Sequence, residues 1–198
     1  LDRSDHEQAR LRFLEALPIY REVGDRLGEA NCIQSLGDIA LRRSDHEQAR
    51  LRFLEALPIY REFGDRLGEA NCIMSLGDIA LQRSDHEQAR LRFLEALPIF
   101  REVGSRLGEA NCIRSLGQVD AAEGLVDPAR EQYAEALAIF RALPEPYSAG
   151  LCLYHFARLD APGSEARRQH LAEAIEAWNS IDRPDLVARL RARFPGEC

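Results

Sequence analysis

The sequence contains no lysine: all 26 basic residues among its 198 are arginines. They face 33 acidic residues, which leaves a formal charge of −7. Non-specific nucleic-acid binding rests on basic patches that neutralise phosphates, so this balance argues against nucleic acid as a partner. It argues equally against an anionic membrane surface. No apolar run approaches the roughly 18 residues of a bilayer-crossing helix, so no membrane span is expected. Cysteine is scarce, with five residues, too few for a disulfide scaffold. No C-x₂₋₄-C or H-x₃₋₅-H pair is present, so no metal site is expected. Gly64 and Gly68 lack a following Gly-Lys-Ser/Thr, so no phosphate-binding loop is expected and no cofactor is implied. β-Branched residues are sparse and no segment alternates with period two, which excludes an evident strand. What remains is a folded composition, 45% hydrophobic and 30% charged, with length enough for a sizeable core.

What is present is repetition. Cys32, Cys72, Cys112 and Cys152 fall 40 residues apart, as do His6, His46 and His86. Residues 25–64 and 65–104 differ at only four positions: Gln34/Met74, Arg42/Gln82, Tyr60/Phe100 and Phe63/Val103. A fixed period of this length marks stacked structural repeats. Each repeat reads as two helices, A then B. Asp65 is a plausible N-cap for an A helix. The run Ser44-Asp45-His46-Glu47 matches a capping box for a B helix, with Ser44 as N-cap and Glu47 at N3. Gly64 supplies a left-handed residue that ends the B helix. In the third repeat Asp127-Pro128 reads as an N-cap and N1 pair. Connections of two or three residues imply antiparallel neighbours. Pro18, Pro58 and Pro98 fall inside B helices and predict a mild bend.

The segments follow from this register. Residues 1–24 read as a lone B helix, and 25–64, 65–104 and 105–144 as repeats. Residues 145–182 form a divergent repeat with a turn at Ala161-Pro162-Gly163-Ser164, and 183–198 hold a capping helix. They are expected to build one domain of about nine helices. The chain opens on Leu1, with no methionine or signal-like segment, and is expected to be a piece of a longer, cytoplasmic protein.

Leu36-Gly37, Ala40, Ala49, Phe53 and Ala56 recur as Leu76-Gly77, Ala80, Ala89, Phe93 and Ala96. They recur again as Leu116-Gly117, Ala129, Tyr133 and Ala136. In this the chain resembles tetratricopeptide repeats, with a 40-residue unit in place of the commoner 34. The longer unit resembles repeats of kinesin light chains, of spindle-orientation scaffolds and of the sensor regions of STAND-type NTPases. The phrase GDRLGEANCIQSLGDIA resembles the last group most. The resemblance implies an all-α, right-handed α-solenoid of antiparallel helix pairs. Glycine and alanine would let helix backbones approach, with Phe53 filling the space between them.

Helix A is apolar or small around most of its circumference, apart from one polar stripe. In the first repeat that stripe is Asn31, Gln34, Ser35, Asp38 and Arg42, spaced three and four apart on one face. The resemblance implies that this face lines a concave groove. The copies vary there. Gln34 becomes Met74, Arg114 and Tyr154; Asp38 and Asp78 become Gln118 and Arg158; Arg42 becomes Gln82. Asn31, Asn71 and Asn111 form a ladder able to hydrogen-bond a peptide backbone. A peptide or helix is expected along this groove, its acidic end toward Arg114, Tyr154, His155 and Arg158. The bland alternatives are drift at solvated positions, and a simple exposed i,i+4 pair of Asp38 with Arg42. The absence of lysine removes the clamp by which some members of the family bind chaperone tails.

Catalysis is not expected. Ser44, Asp45 and His46 are consecutive on one helical turn and point apart, so they cannot form a nucleophile–base–orienter chain. The repeated cysteines read as buried packing residues, Cys198 as an exposed tail thiol, and His6, His46 and His86 as solvent-facing. The leading function is therefore a non-enzymatic protein-interaction scaffold, the partner-sensing part of a larger signalling protein. The alternative is self-assembly into dimers or stacks through the open N-terminal helix, where Phe13 and Leu17 lack a partner helix.

Overall fold

The computed structural model describes residues 3–197, with side chains from Glu7 onward. Among these residues it holds ten helices and no strand. Unit 1, Leu1–Val103, contains α1 (Arg3–Val23), α2 (Arg26–Arg42), α3 (His46–Phe63), α4 (Arg66–Gln82) and α5 (His86–Glu102). Unit 2, Gly104–Cys198, contains α6 (Arg106–Ala122), α7 (Val126–Ala142), α8 (Pro146–Leu159), α9 (Glu165–Asn179) and α10 (Pro184–Arg193). The pairs α2–α3, α4–α5, α6–α7 and α8–α9 pack most closely, and within each unit every helix also packs on the next. The helix count is one above the sequence expectation because the segments named there contain ten. No described helix is long and apolar enough to cross a membrane.

Turn chemistry sets the boundaries. Gly64 takes φ 70°, the left-handed conformation that closes α3. Asp65 then caps α4, its Oδ1 accepting from the Gly68 amide at 2.8 Å. The turn before α3 corrects the capping-box expectation. Ser44 sits at φ 60°, outside the range an N-cap adopts, and its amide donates to the Leu41 carbonyl at 2.9 Å. Asp45 is the cap, accepting from Gln48 N at 3.1 Å, and Glu47 binds Arg50 at 2.8 Å. The third repeat keeps the same turn length, with Gly124 at φ 80°. Consequently α7 begins at Val126, after Leu125. Asp127-Pro128 lies within the first turn, where proline's missing N–H costs nothing. Pro58 is likewise tolerated inside α3: it lies on the exposed face, as does Leu54, whose carbonyl loses its partner.

Packing is governed by glycine against aromatic rings. A Cβ on Gly37 would lie 2.9 Å from Phe53 Cε1, and one on Gly77 2.7 Å from Phe93 Cε1. On the opposite side of α4, a Cβ on Gly68 would lie 2.5 Å from the Tyr60 ring. In unit 1, α2 and α4 thus each press bare backbone against aromatic rings of the B helices on either side, Gly28 meeting Tyr20 as Gly68 meets Tyr60. Cys32, Cys72, Cys112 and Cys152 are buried free thiols, and burial pushes Cys72 and Cys152 up to about 12. Cys198 and the His6 side chain lie outside the described residues. His46 and His86 are half-buried rather than solvent-facing, and His46 Nδ1 has no partner.

A buried acid recurs with the repeat. Glu29 and Glu69 are almost inaccessible. Arg21 donates to Glu29 at 2.8 Å and to Glu55 at 2.9 Å, tying α1, α2 and α3 together. Arg61 does the same with Glu69 at 2.8 Å and Glu95 at 2.7 Å. Burial alone would raise the Glu29 carboxyl, but Arg21 and Arg26 outweigh it and hold it below its usual range. In unit 2 the divergent repeat uses another device. Asp160, buried at the end of α8, accepts from Arg130 at 2.8 Å and lies 2.7 Å from His170 Nδ1. His170 stacks on Phe156 at 4.8 Å, so α7, α8 and α9 meet at one carboxylate.

Candidate functional site

Helices α2, α4, α6 and α8 are buried on most sides, and their partly open positions form the polar stripe read from the sequence. In unit 1, Asn31 and Arg42 are exposed and Gln34 and Asp38 half-buried on α2. On α4, Asn71, Met74 and Asp78 are half-buried and Gln82 exposed. Asp38 makes no ion pair with Arg42 within 4.0 Å among the described residues. Burial raises its carboxyl above the usual range, with Arg42 opposing.

Tyr60, a residue the sequence reading did not assign to this face, reaches it from α3. Its hydroxyl lies 2.8 Å from Asn31 Oδ1 and 2.7 Å from Gln34 Oε1. A hydroxyl donates one proton, so it donates to one amide and accepts an N–H from the other after that amide turns over. The equivalent residues in the next repeat are Phe100, Asn71 and Met74. The hydroxyl and the glutamine that meets it are thus both absent, and Asn71 is left without a hydrogen-bond partner among the described residues. Two of the four differences between these repeats thus fall at one contact, legible only once the B-helix aromatic is seen to touch the A-helix stripe.

In unit 2 the stripe changes character. Asn111, Arg114 and Gln118 are half-buried on α6; Tyr154 and His155 are half-buried and Arg158 exposed on α8, which also touches α6. Arg114 Nη2 donates to Asn111 Oδ1 at 3.3 Å, while its Nε is buried without a partner. Arg158 lies over the Tyr154 ring, 5.9 Å from its centroid. His155 stacks on Tyr133 at 5.5 Å and meets Tyr154 edge-on at 5.2 Å. Burial first, then the charges of Arg114 and Arg158, push the His155 imidazole down to about 3, so it is neutral. Burial raises the Tyr133 hydroxyl too. The arrangement has two cations, a neutral imidazole and aromatic faces, but no nucleophile with its base. Among the described residues no group of three or more His, Cys, Asp or Glu can hold a metal.

Two hollows on the B-helix side provide a contrast. One, of about 370 Å³, is lined by Arg10, Arg43 and Arg52 with Leu14 and Ile39. Its counterpart 40 residues on, of about 480 Å³, has Arg50, Arg83 and Arg92 with Leu54 and Ile79. In each hollow the three arginines are paired with glutamates, as with Arg43 and Glu7 at 2.9 Å and Arg92 and Glu95 at 2.9 Å. Each of these cations already has a carboxylate partner, with Glu7 shared by Arg10 and Arg43 and Glu47 by Arg50 and Arg83.

The model of the family described as tetratricopeptide repeat matches residues 1–62 and 69–142. The chain therefore belongs to the tetratricopeptide repeat family, and its fold is an all-α solenoid of antiparallel helix pairs. No curated protein sequence matches it. Among solved structures it is similar to the apo form of RapI, with 17% identity and a TM-score of 0.79 over 96% of this chain and 70% of that one. It is similar to a Rap protein complexed with competence and sporulation factor, with 14% identity, TM-score 0.76, and 96% and 55% coverage. It is also similar to the Rap conjugation gene regulator of plasmid pLS20 in complex with the Phr* peptide, with 16% identity, TM-score 0.68, and 96% and 56% coverage. The chain spans little more than half the length of the last two. At these identities the likeness concerns fold.

Proposed function

We propose that this chain is a non-enzymatic protein-interaction module that binds a peptide or helix along the stripe of its A helices, as the cytoplasmic partner-sensing part of a larger signalling protein. The observation that carries this reading is the stripe itself. Polar side chains persist at one register of helices that are otherwise buried. One of them, Asn71, keeps an unused amide able both to donate to and to accept from a peptide backbone. The two Rap structures solved with a factor or peptide bound support it at the level of fold. The test is selection of binding peptides from a random library with the full chain, followed by titration against Asn71→Ala and Asn111→Ala. At least a tenfold loss of affinity in one of these variants is expected; unchanged affinity in both defeats the reading.

A second reading has an observation of its own. Ile19 on α1 is 58% exposed, whereas its repeat equivalent Ile59 on α3 is 4% exposed. The face that α3 turns to its neighbours is open on α1, and a second copy can cover it. Light scattering across a concentration range tests this. Association abolished by Ile19→Glu is the expected result, and a strict monomer at all concentrations ends it.

A further inference from the structure

The outer face of the B helices in unit 1 is apolar where nothing in the fold requires it. Leu11 and Leu14 on α1, Leu51 and Leu54 on α3, and Leu91 and Leu94 on α5 are each between 38% and 53% exposed. On α3 the exposed Pro58 extends the stripe by one turn, and the same spacing recurs on α1 and α5. The three stripes share one side of the unit. Leu14 borders the same hollow as Gln48 and Arg52 of α3, and Leu54 borders the same hollow as Gln88 and Arg92 of α5. Arg21 of α1 also reaches Glu55 of α3 at 2.9 Å, and Arg61 of α3 reaches Glu95 of α5 at 2.7 Å. Single exposed leucines are ordinary. Six on one side are not, because monomers rarely leave more than a few hundred Å² of contiguous apolar surface open. The fold does not demand them: where α5 has Leu91, Leu94 and Pro98, α7 carries Glu131, Ala134 and Ala138, all exposed.

We propose that this face of unit 1 is where two copies of the chain associate, α3 lying against α3 about a two-fold axis parallel to that helix. Charge and area both point to a second copy as the occupant. Arg50 precedes Leu51 and Glu55 follows Leu54, so the two flank the stripe on opposite sides. In a parallel pair with the leucines in the seam, these are the positions that meet across the interface, Arg50 of each copy facing Glu55 of the other. Arg10 with Glu15 and Arg90 with Glu95 repeat the arrangement on α1 and α5. The face is thereby self-complementary, as a two-fold contact requires. Arg50 and Glu55 already have partners in their own copy, Glu47 at 2.8 Å and Arg52 at 2.9 Å, so the cross-contact sets orientation more than affinity. A two-fold pair covers the apolar patch twice. With the charged stems at its rim it reaches roughly 1,000 Å², the lower bound of a specific interface. The proposal shares with the second reading above only that copies associate; it uses a face other than the one that carries Ile19.

The test compares the full native chain with Ile19→Glu and with a double variant, Leu51→Glu plus Leu54→Ala. The double variant copies Glu131 and Ala134, so the fold already carries these residues at the equivalent positions. Sedimentation velocity at rising concentration reads the association. A second readout locates the contact: Leu51→Cys is oxidised in a Cys198→Ser background, beside Glu131→Cys in the same background. Cys32, Cys72, Cys112 and Cys152 are buried and do not compete. The expected result is that dimerisation weakens tenfold or more in the double variant, where a carboxylate enters the seam, and is kept in Ile19→Glu. A disulfide-linked dimer is expected from Leu51→Cys and not from Glu131→Cys. Loss of the dimer in Ile19→Glu alone overturns this face and leaves the α1 reading standing. Equal crosslinking at both positions marks random collision and overturns it. Dimerisation unchanged by every substitution overturns both routes, as does a strict monomer at all concentrations.

Discussion

The hydroxyl of Tyr60 meets the side-chain oxygen of Gln34 at 2.7 Å, joining a B helix to the exposed stripe of the A helix before it. Where the next repeat has Phe100, it has Met74. Tyr60→Phe strips Asn31 and Gln34 of their shared partner and should cost about 1 kcal/mol, whereas Gln34→Met leaves the hydroxyl with Asn31 alone and should cost about 0.5–1 kcal/mol. The double variant reproduces the second repeat's pair and should cost less than the sum, by roughly 0.5–1 kcal/mol. A double-mutant cycle in urea measures this, and strict additivity shows that the hydrogen bond does not couple the two sites.

The turn between α2 and α3 separates two adjacent candidate caps. Asp45→Ala should cost about 1 kcal/mol, because its carboxylate holds the Gln48 amide, whereas Ser44→Ala should change little. Ser44→Gly should stabilise by roughly 0.5–1 kcal/mol, since Ser44 is left-handed at φ 60° and Gly124 fills the equivalent position. Chemical denaturation ranks the three variants; a large loss in Ser44→Ala restores the capping box.

Gly77→Ala tests the close approach of helix backbones. Helix propensity alone favours alanine by about 1 kcal/mol. The added Cβ would lie 2.7 Å from Phe93, and relieving that overlap in a packed core costs roughly 1–3 kcal/mol. Net destabilisation is expected, with Phe93→Leu in the same chain restoring part of it. A stabilised Gly77→Ala contradicts the packing described here.

His155 makes stability depend on pH. Its imidazole has a folded value of about 3 against an ordinary 6.5. Below pH 6.5 the unfolded chain therefore binds a proton that the folded chain refuses, and stability falls as pH drops toward 3. Discounted for partial solvent access, the loss from pH 7 to 4.5 is on the order of 1–2 kcal/mol. His155→Ser, which copies Ser115, should flatten this slope. Glu29 acts at lower pH: its carboxyl is held below 4.5, so its contribution is full above that value and fades as acid protonates it. Urea titrations at successive pH values, with Glu29→Gln beside His155→Ser, separate the two slopes.

The fold was largely legible because repetition multiplies weak signals. Glycine at 24, 64 and 104, and Leu-Gly at 36, 76 and 116, mark the same turn and the same close contact three times over. Local ambiguity survived repetition. Ser-Asp-His-Glu-Gln satisfies two capping patterns offset by one residue, and only backbone angles choose between them. Contacts between helices were harder still. Tyr60 reaches Gln34, Arg21 reaches Glu55, and Asp160 gathers Arg130 and His170 across distances in sequence that no periodicity encodes. Variation along the stripe was visible at once. That two of the differences, Gln34/Met74 and Tyr60/Phe100, fall at one contact between an A and a B helix was not.

The location of ligand binding tests the proposed function most directly. A photo-crosslinking residue, p-benzoylphenylalanine, is placed at Met74 on the A-helix stripe or at Leu51 on the exposed face of α3, in the full chain with a library-selected peptide. Covalent capture at Met74 and not at Leu51 is expected; capture at Leu51 with none at Met74 contradicts a binding face on the A helices.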